Sequence, residues 1–136
     1  MSAQGNAGRG AAGEDIAEKY LEKHGYRVIA RNYSIARGEI DIAAYRRGTV
    51  VIAEVKTRSG YRFGSAAEAV DEVKQQRIRR AADAFLRRHT LRGRIPVYSR
   101  LLRRQVGRKY SRVRFDIIEV YTTGGKPTVN HMKNAF

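Results

Sequence analysis

Four charged side chains stand on two neighbouring predicted strands, and their types suit metal-assisted chemistry. Because side chains alternate across a strand, Glu39 and Asp41 share one face of the first strand. Glu54 and Lys56 share one face of the second strand for the same reason. A hairpin between the two strands can place Asp41 beside Glu54. Two adjacent carboxylates suit a hard cation such as Mg²⁺ or Mn²⁺, which prefers oxygen ligands and keeps several waters.

The predicted cation site is suited to cleaving a phosphodiester bond. A bound cation lowers the pKa of its water, orients the scissile phosphate and offsets the charge that develops. Lys56 can position that water, accept its proton or stabilise the phosphorane, and the sequence leaves these three roles open. The alternative is a set of ordinary strand-end ion pairs. It is disfavoured because Glu54 follows directly on the apolar run VVIA, where an unpaired ion would be costly.

The charge of the chain indicates a polyanionic partner. Lys plus Arg outnumber Asp plus Glu by 28 to 13, the formal net charge is +15, and no acidic residue lies between Asp83 and Asp116. Arginine predominates, and a guanidinium can bind two phosphate oxygens at once. A solvated charge-rich surface or attraction to an acidic membrane remains the alternative. We predict a nucleic-acid-binding surface that includes Arg77, Arg80, Arg87, Arg88, Arg103, Arg104, Arg108 and Lys109.

Several other functional classes are excluded by composition. The absence of cysteine excludes disulfides, thiolate catalysis and cysteine-ligated zinc, and the three histidines are too dispersed for a zinc site. No run approaches the roughly 18 apolar residues that span a bilayer, and the N-terminus lacks the apolar stretch of a secretory signal. We therefore expect a cytoplasmic protein with no membrane partner.

Length and periodicity predict one α/β domain. We expect a flexible tail at residues 1–10 and a single domain at 11–136 with a basic insertion at about 90–112. The predicted elements are a helix at 11–24 ended by Gly25, strands at 26–33, 39–45 and 50–56, a long helix at 66–89, an irregular basic loop at 92–112, a strand at 113–121 and a short segment at 128–131. The order α-β-β-β-α-β predicts a mixed central sheet flanked by helices, with the third and fourth strands parallel.

Several segments of the chain resemble one known family over residues 13–121. They are GEDIAEKYLEKHGYRVIARNY, GEIDIAA, VVIAEVKTRSGYRFGSAAEAV, DEVKQQRIRRAA and VRFDIIEV. The resemblance is to the YraN-like family of bacterial proteins, which is assigned to the PD-(D/E)xK nuclease superfamily beside archaeal Holliday-junction resolvases. It implies a restriction-endonuclease-like core in which Asp41 is the superfamily's Asp, Glu54 its second acid and Lys56 its lysine.

The same resemblance implies an activity and partners. The implied activity is that of a Mg²⁺- or Mn²⁺-dependent endonuclease. The implied substrate is nucleic acid, with DNA favoured over RNA and branched forms included. The implied assembly is a two-fold homodimer. The usual family pattern has a short connection before the RFD strand, whereas an Arg-rich stretch stands at about 90–112 here. That stretch is interpreted as a substrate clamp or a flexible insertion.

Further residues are predicted to assist the site. Glu14 matches the acid that resolvase-like relatives carry in their first helix, and its helical spacing places it at the edge of the apolar stripe. It is a candidate third metal carboxylate, or else an acid that complements the helix dipole. Glu39 is an accessory acid or a structural ion pair. Lys74 and Gln75 match a K-Q-x-R signature near the active site of related nucleases, or lie on a solvated helix face. Asp116 is expected to bond to Arg114 or to backbone.

A different class of function also fits the residues. A non-catalytic nucleic-acid-binding module on the same fold would need the basic surface but not the intact set of Asp41, Glu54 and Lys56. A basic ribosome-associated or RNA-binding protein would explain the charge but not an acidic cluster on the central strands. Titration with Mg²⁺ or Mn²⁺ separates these classes, because the nuclease alone requires a carboxylate-dependent cation site.

Overall fold

The structure, a computed structural model, describes residues 2–59 and 70–136, with side chains described for 11–59 and 70–136. Two helices and seven strands follow one another along the described residues. They are α1 (Ser2–Lys23), β1 (Arg27–Ile35), β2 (Gly38–Arg46), β3 (Thr49–Arg58), α2 (Glu72–His89), β4 (Arg94–Ser99), β5 (Arg104–Lys109), β6 (Arg112–Tyr121) and β7 (Thr128–Met132). No helix in these ranges is long and apolar enough to cross a membrane.

Five strands form one mixed sheet in the order β1-β2-β3-β6-β7. The hairpins β1–β2 and β2–β3 are antiparallel, β3 and β6 are parallel, and β7 adds antiparallel to β6. The central position of β3 explains its apolar run, because Val51 and Ile52 point to opposite faces and both are fully buried. The predicted α-β-β-β-α-β order, the mixed sheet and the parallel third and fourth strands are confirmed.

One helix covers each face of the sheet. Ile78, Ala81 and Phe85 recur at helical spacing along α2 and pack on the face that carries Ile40 and Ile52. On the opposite face, Ala17 and Leu21 of α1 pack against Val51 and Ala53. The two cores hold the helices in place on either side of β2 and β3.

Two glycines allow close approach of the helices to the sheet. A Cβ at Gly38, the first residue of β2, would overlap the backbone carbonyl oxygen of Arg77 in α2. A Cβ at Gly13 in α1 would overlap the Thr57 hydroxyl of β3. Glycine at these positions therefore lets α2 and α1 lie directly against the ends of β2 and β3 where the charged side chains cluster.

Two predicted helix boundaries differ from the structure. Residue 1 of the predicted tail lies outside the described residues, and residues 2–10 belong to α1. The long helix begins at Glu72 instead of residue 66, because the Asp71 side chain caps it by accepting from the Lys74 N–H. Residues 66–69, which the sequence assigned to the start of this helix, lie outside the described residues. The predicted end of α1 is confirmed, since Gly25 follows it with φ +86°.

The prediction of an irregular loop at 92–112 is wrong. Strands β4 and β5 form an antiparallel hairpin with six paired positions, from Arg94–Lys109 to Ser99–Arg104. Ile95 and Val97 alternate with exposed residues and are buried against the α2 face of the core. Pro96 is tolerated because β4 lies in a two-stranded ribbon, where an absent N–H can face outward from the edge.

Candidate active site

The candidate site lies where β2 and β3 separate. The pairing of the two strands runs from Arg46–Thr49 to Ile42–Ala53 and stops there, so that Asp41 and Glu54 are the next residues on each strand. Asp41 Oδ2 accepts a hydrogen bond of 2.9 Å from the backbone N–H of Val55. The aspartate side chain thus takes the place of a backbone partner in the gap, and it fixes one carboxylate against the other strand.

Asp41 and Glu54 are close enough to perturb one another. Burial raises the pKa of Asp41 to about 7, and the charge of Glu54 adds to this rise. The hydrogen bond from Val55 opposes the rise, whereas a hydrogen bond shared with Glu54 and the charge of Glu14 support it. Glu54 itself is only 4% exposed. Two acids in one partly buried space repel each other, so the pair favours a shared proton or a bound cation.

Two lysines lie against Glu54. Lys74 Nζ is 2.6 Å from Glu54 Oε1, and Lys56 Nζ is 3.5 Å from the same oxygen. Burial lowers the pKa of Lys56, and the neighbouring charge of Lys74 lowers it further. Burial also opposes the charge on Lys74, but the hydrogen bond to Glu54 outweighs it and raises the pKa of Lys74. The cluster therefore contains two acids and two bases, with Lys74 the more firmly protonated lysine.

The start of α2 sets the position of Lys74. The Asp71 side chain accepts the Lys74 backbone N–H at 2.8 Å, which fixes the first turn of the helix. The Gln75 side-chain amide donates to the carbonyl of Val70 at 2.9 Å. Of the two residues predicted to assist the site from this helix, Lys74 reaches Glu54, whereas Gln75 holds the backbone that precedes the helix.

Glu14 approaches the same end of the sheet from α1. Its Oε2 accepts hydrogen bonds from Asn32 at 2.9 Å and from Arg31 at 3.2 Å, both in β1. Asn32 has φ 52°, so a local irregularity of the edge strand turns its amide towards Glu14. Arg31 and Asn32 were not among the predicted site residues, because their role depends on this irregularity. Glu39 is exposed.

The donor set fits a hard divalent cation. Among the described residues, no three His, Asp or Glu side chains are grouped so as to hold a metal ion. Asp41 and Glu54 form a pair of acids in which the charge of Glu54 acts on Asp41. Mg²⁺ is commonly bound by one or two carboxylates, with waters and substrate phosphate completing the shell. A cation between Asp41 and Glu54 would relieve the repulsion that raises the pKa of Asp41, so the residues present fit the predicted Mg²⁺ or Mn²⁺.

The predicted nucleic-acid-binding residues are all exposed, on α2 and on the hairpin β4–β5. They are Arg77, Arg80, Arg87, Arg88, Arg103, Arg104, Arg108 and Lys109. Arg87 lies 3.2 Å from Asp83, one turn earlier on α2, and both side chains are largely exposed. The structure therefore presents these cations to solvent, where phosphate groups could contact them.

Arg114 has a different environment from the other arginines. Its guanidinium donates to both carboxylate oxygens of the fully buried Asp116, at 2.9 and 2.8 Å. Asp116 also accepts from the Asn134 backbone N–H at 2.9 Å and lies 2.7 Å from His131 Nε2. Burial opposes ionisation of Asp116, but these hydrogen bonds lower its pKa. The expected bond from Asp116 to Arg114 and backbone is confirmed, and the group ties β6 to β7 and the C-terminus.

One family profile and several similar proteins each match most of this chain. The profile of the uncharacterised protein family UPF0102 matches residues 13–120. A UPF0102 protein of Alkaliphilus oremlandii is 41% identical over 93% of this chain and 96% of its own length. One from Rhodococcus jostii is 38% identical over 96% of this chain and 98% of its own. One from Caldanaerobacter subterraneus is 38% identical over 93% of each.

Proposed function

The chain belongs to the UPF0102 family, the YraN-like family that its motifs resemble, and we propose that it is a metal-dependent nuclease that hydrolyses phosphodiester bonds, with DNA favoured as substrate. The family description assigns no activity, so the proposal rests on the site. The observation that carries it is the pair Asp41 and Glu54 in the gap between β2 and β3, with Lys56 and Lys74 against the pair.

Each residue of the cluster has a distinct proposed role. Asp41 and Glu54 would hold Mg²⁺ or Mn²⁺, which supplies an acidified water and offsets negative charge on the phosphate. Lys56 faces the same space and donates hydrogen bonds to the attacking water or to a phosphate oxygen. Lys74 neutralises Glu54 and holds its carboxylate in one orientation. Glu14, fixed by β1, adds negative charge at the edge of the site.

The proposed reaction is a simple hydrolysis. The water oxygen forms a new bond to phosphorus while the bond from phosphorus to the leaving sugar oxygen breaks. One proton leaves the water for solvent, and the leaving oxygen gains a proton. The basic surface of α2 and β4–β5 binds the flanking phosphates and so positions the scissile one.

One observation favours a second function. Lys56 and Lys74 both lie against Glu54, so the charge of this carboxylate is balanced without a cation. A non-catalytic nucleic-acid-binding module would retain these ion pairs at Glu54 for stability alone. The two functions differ in whether cation binding depends on the carboxylates.

The test combines cation titration with a cleavage screen. The wild-type protein is incubated with Mg²⁺ or Mn²⁺ and with linear, flapped, nicked and four-way-junction DNA and matched RNA. Asp41→Asn and Glu54→Gln should lower both cation affinity and cleavage, cleavage by on the order of a hundredfold or more, whereas Lys56→Ala should retain cation binding and lose turnover.

Two exposed positions provide matched controls. Asp83→Asn removes one acid from α2, and Lys126→Ala removes one lysine from the turn before β7. Both should cleave as the wild type does. Cleavage that survives all three site substitutions would overturn the assignment. Nucleic-acid binding without cleavage by any form, and without carboxylate-dependent cation binding, would support the binding module.

A further inference from the structure

The tip of the β4–β5 hairpin presents two leucines to solvent between arginines. Four residues connect the strands, Arg100, Leu101, Leu102 and Arg103, and we call them the hairpin tip. Leu101 is 90% exposed and Leu102 is 51% exposed. Adjacent exposed leucines have a solvation cost, and neither contributes to the two cores. A role in contacting another molecule would account for their position.

The tip is held in an ordered conformation. Ser99 Oγ accepts a hydrogen bond of 3.2 Å from the backbone N–H of Leu102. Arg103 has φ 52°, which closes the four-residue connection before β5. At the other end of the ribbon, Ile95 and Val97 are anchored in the core. The two leucines therefore lie at the end of an ordered two-stranded ribbon whose base is packed in the core.

The tip lies beside the end of α1, at the end of β1 that pairs with Tyr45 of β2. Arg100 is 3.5 Å from Glu22 of α1, and Glu22 also pairs with Arg27 of β1 at 3.1 Å. Glu14, the α1 acid nearest the site, likewise bonds to β1, through Arg31. Eight residues of helix separate Glu14 from Glu22, which is about 12 Å along α1. One turn of a DNA duplex is about 34 Å long, so a bound duplex can contact the tip and the candidate site at once.

We propose that the hairpin tip is a wedge that inserts Leu101 and Leu102 among unstacked bases at a branch point of the nucleic acid bound for cleavage. This proposal rests on the proposed function, because it supplies the branched substrate for the same site. Apolar side chains are inserted between base steps by many DNA-bending proteins. Arg100, Arg103 and the adjacent Arg104 flank the leucines and can bind the phosphates on either side. The wedge would hold the branch beside the Glu22 end of α1, from which a duplex arm can extend to the carboxylate pair.

The chemistry of the tip favours nucleic acid over a lipid surface. A membrane-binding segment presents a broad apolar face, commonly with aromatic anchors. The tip presents two leucines, and the cations beyond it continue along β5 as Arg104, Arg108 and Lys109. A line of cations with a narrow apolar end matches a phosphate backbone that leads to an exposed base.

The test uses the full chain and a branched DNA with 2-aminopurine at the branch point. Chelator is present, so that base unstacking is measured without cleavage. The wild type should bind the branched DNA more tightly than a linear duplex and increase the 2-aminopurine fluorescence. The double variant Leu101→Ser, Leu102→Ser should lose the fluorescence increase and bind the branched DNA about tenfold more weakly, with duplex affinity unchanged.

The control variant is Leu91→Ser, which alters a leucine that is 75% exposed outside the tip and should behave as the wild type. Thermal unfolding should show that both variants fold. Fluorescence enhancement that persists in the double variant, or no preference for branched DNA in the wild type, overturns the wedge. Leucine-dependent binding to phosphatidylglycerol vesicles without base unstacking overturns it in favour of a membrane contact. Leucine-dependent unstacking with no cleavage under any cation supports the wedge and contradicts the nuclease, so the two proposals can fail separately.

Discussion

Lys74 places its ammonium nitrogen 2.6 Å from Oε1 of Glu54, joining the first turn of α2 to the central strand β3. The Glu54 side chain is 5% exposed, so its charge depends on cations supplied by the protein or by a bound metal. The contact is set by the helix cap at Asp71 and by the close packing of Gly38 on α2. One ion pair therefore couples the placement of a helix to the charge balance of the candidate site.

A double-mutant cycle should show strong coupling between Glu54 and Lys74. Combining Glu54→Gln with Lys74→Met should give a coupling energy of about 1–3 kcal/mol in urea unfolding, because each single change removes the closer partner of a partly buried charge. The exposed pair Asp83 and Arg87 is the matched control, with an expected coupling of about 0.2–0.5 kcal/mol. Equal coupling in the two cycles would show that the Glu54 contact is no stronger than a surface pair.

Asp41→Asn should stabilise the protein when no cation is bound. The pKa of Asp41 is raised to about 7 in the fold, so the folded state holds this proton more tightly than the unfolded chain does. Ionisation of Asp41 therefore costs stability as pH rises above about 4, and the cost is complete above about pH 7. In chelator, the variant should exceed the wild type in free energy of unfolding by about 1–3 kcal/mol at about pH 8.

The pH dependence provides the check on Asp41. The difference between Asp41→Asn and the wild type should nearly vanish at about pH 4, where the wild-type carboxyl is protonated. Asp83→Asn, at an exposed position, should differ little from the wild type at either pH. A destabilised Asp41→Asn protein at about pH 8 would mean that the aspartate charge is compensated in the fold.

The carboxylate pair was predictable because strands have a fixed period. Alternation places Glu54 and Lys56 on one face, and the short connection after Arg46 fixes the register that brings Asp41 next to Glu54. The sequence identified Lys74 only as an accessory residue of the site. Its reach depends on where α2 begins, and the cap at Asp71 moves that start six residues along the chain from the predicted position.

The hairpin β4–β5 could not be predicted from local signals. Gly93, Pro96 and Gly107 are all typical of loops, and they outweighed the alternation of Ile95 and Val97. In the structure the same residues lie in a two-stranded ribbon, where edges are free and Pro96 stands opposite Gly107. Tertiary burial of Ile95 and Val97 decides the conformation, and that information is absent from a local pattern.

Asp116→Asn should destabilise the protein at neutral pH. Hydrogen bonds from His131, Arg114 and Asn134 outweigh burial and lower the pKa of Asp116. A lowered carboxyl pKa contributes stability above its unfolded value, near 3.9, and that contribution is lost as pH falls through the folded pKa. We expect a loss of about 2–4 kcal/mol at about pH 7. The loss should shrink in urea titrations carried out below about pH 4, and a constant difference would argue against an ionic origin.

Gly38→Ala should weaken the packing of α2 on β2. An alanine Cβ would overlap the Arg77 carbonyl oxygen, and backbone cannot move aside as a flexible side chain can. We expect a loss of about 1–3 kcal/mol in thermal or urea unfolding. Gly107→Ala is the control, because its Cβ would meet only the Arg94 side chain at ordinary contact distance, 3.4 Å. Similar stability of the two variants would contradict the close approach at Gly38.

Nucleic-acid affinity should fall steeply with salt, and the hairpin should contribute much of that slope. Each phosphate neutralised on duplex DNA adds about 0.9 to the slope of log affinity against log salt. Replacing the exposed Arg103, Arg104 and Arg108 with alanine should therefore flatten the slope by about 2 to 3 and weaken binding to all sequences alike, because phosphate contacts carry little base information. The control replaces Lys19, Lys23 and Lys126, which are also exposed and give the same change in net charge. Fluorescence anisotropy over a salt series measures both slopes. If the two triple variants lose the same slope, general charge attraction explains binding and the hairpin is not the contact surface.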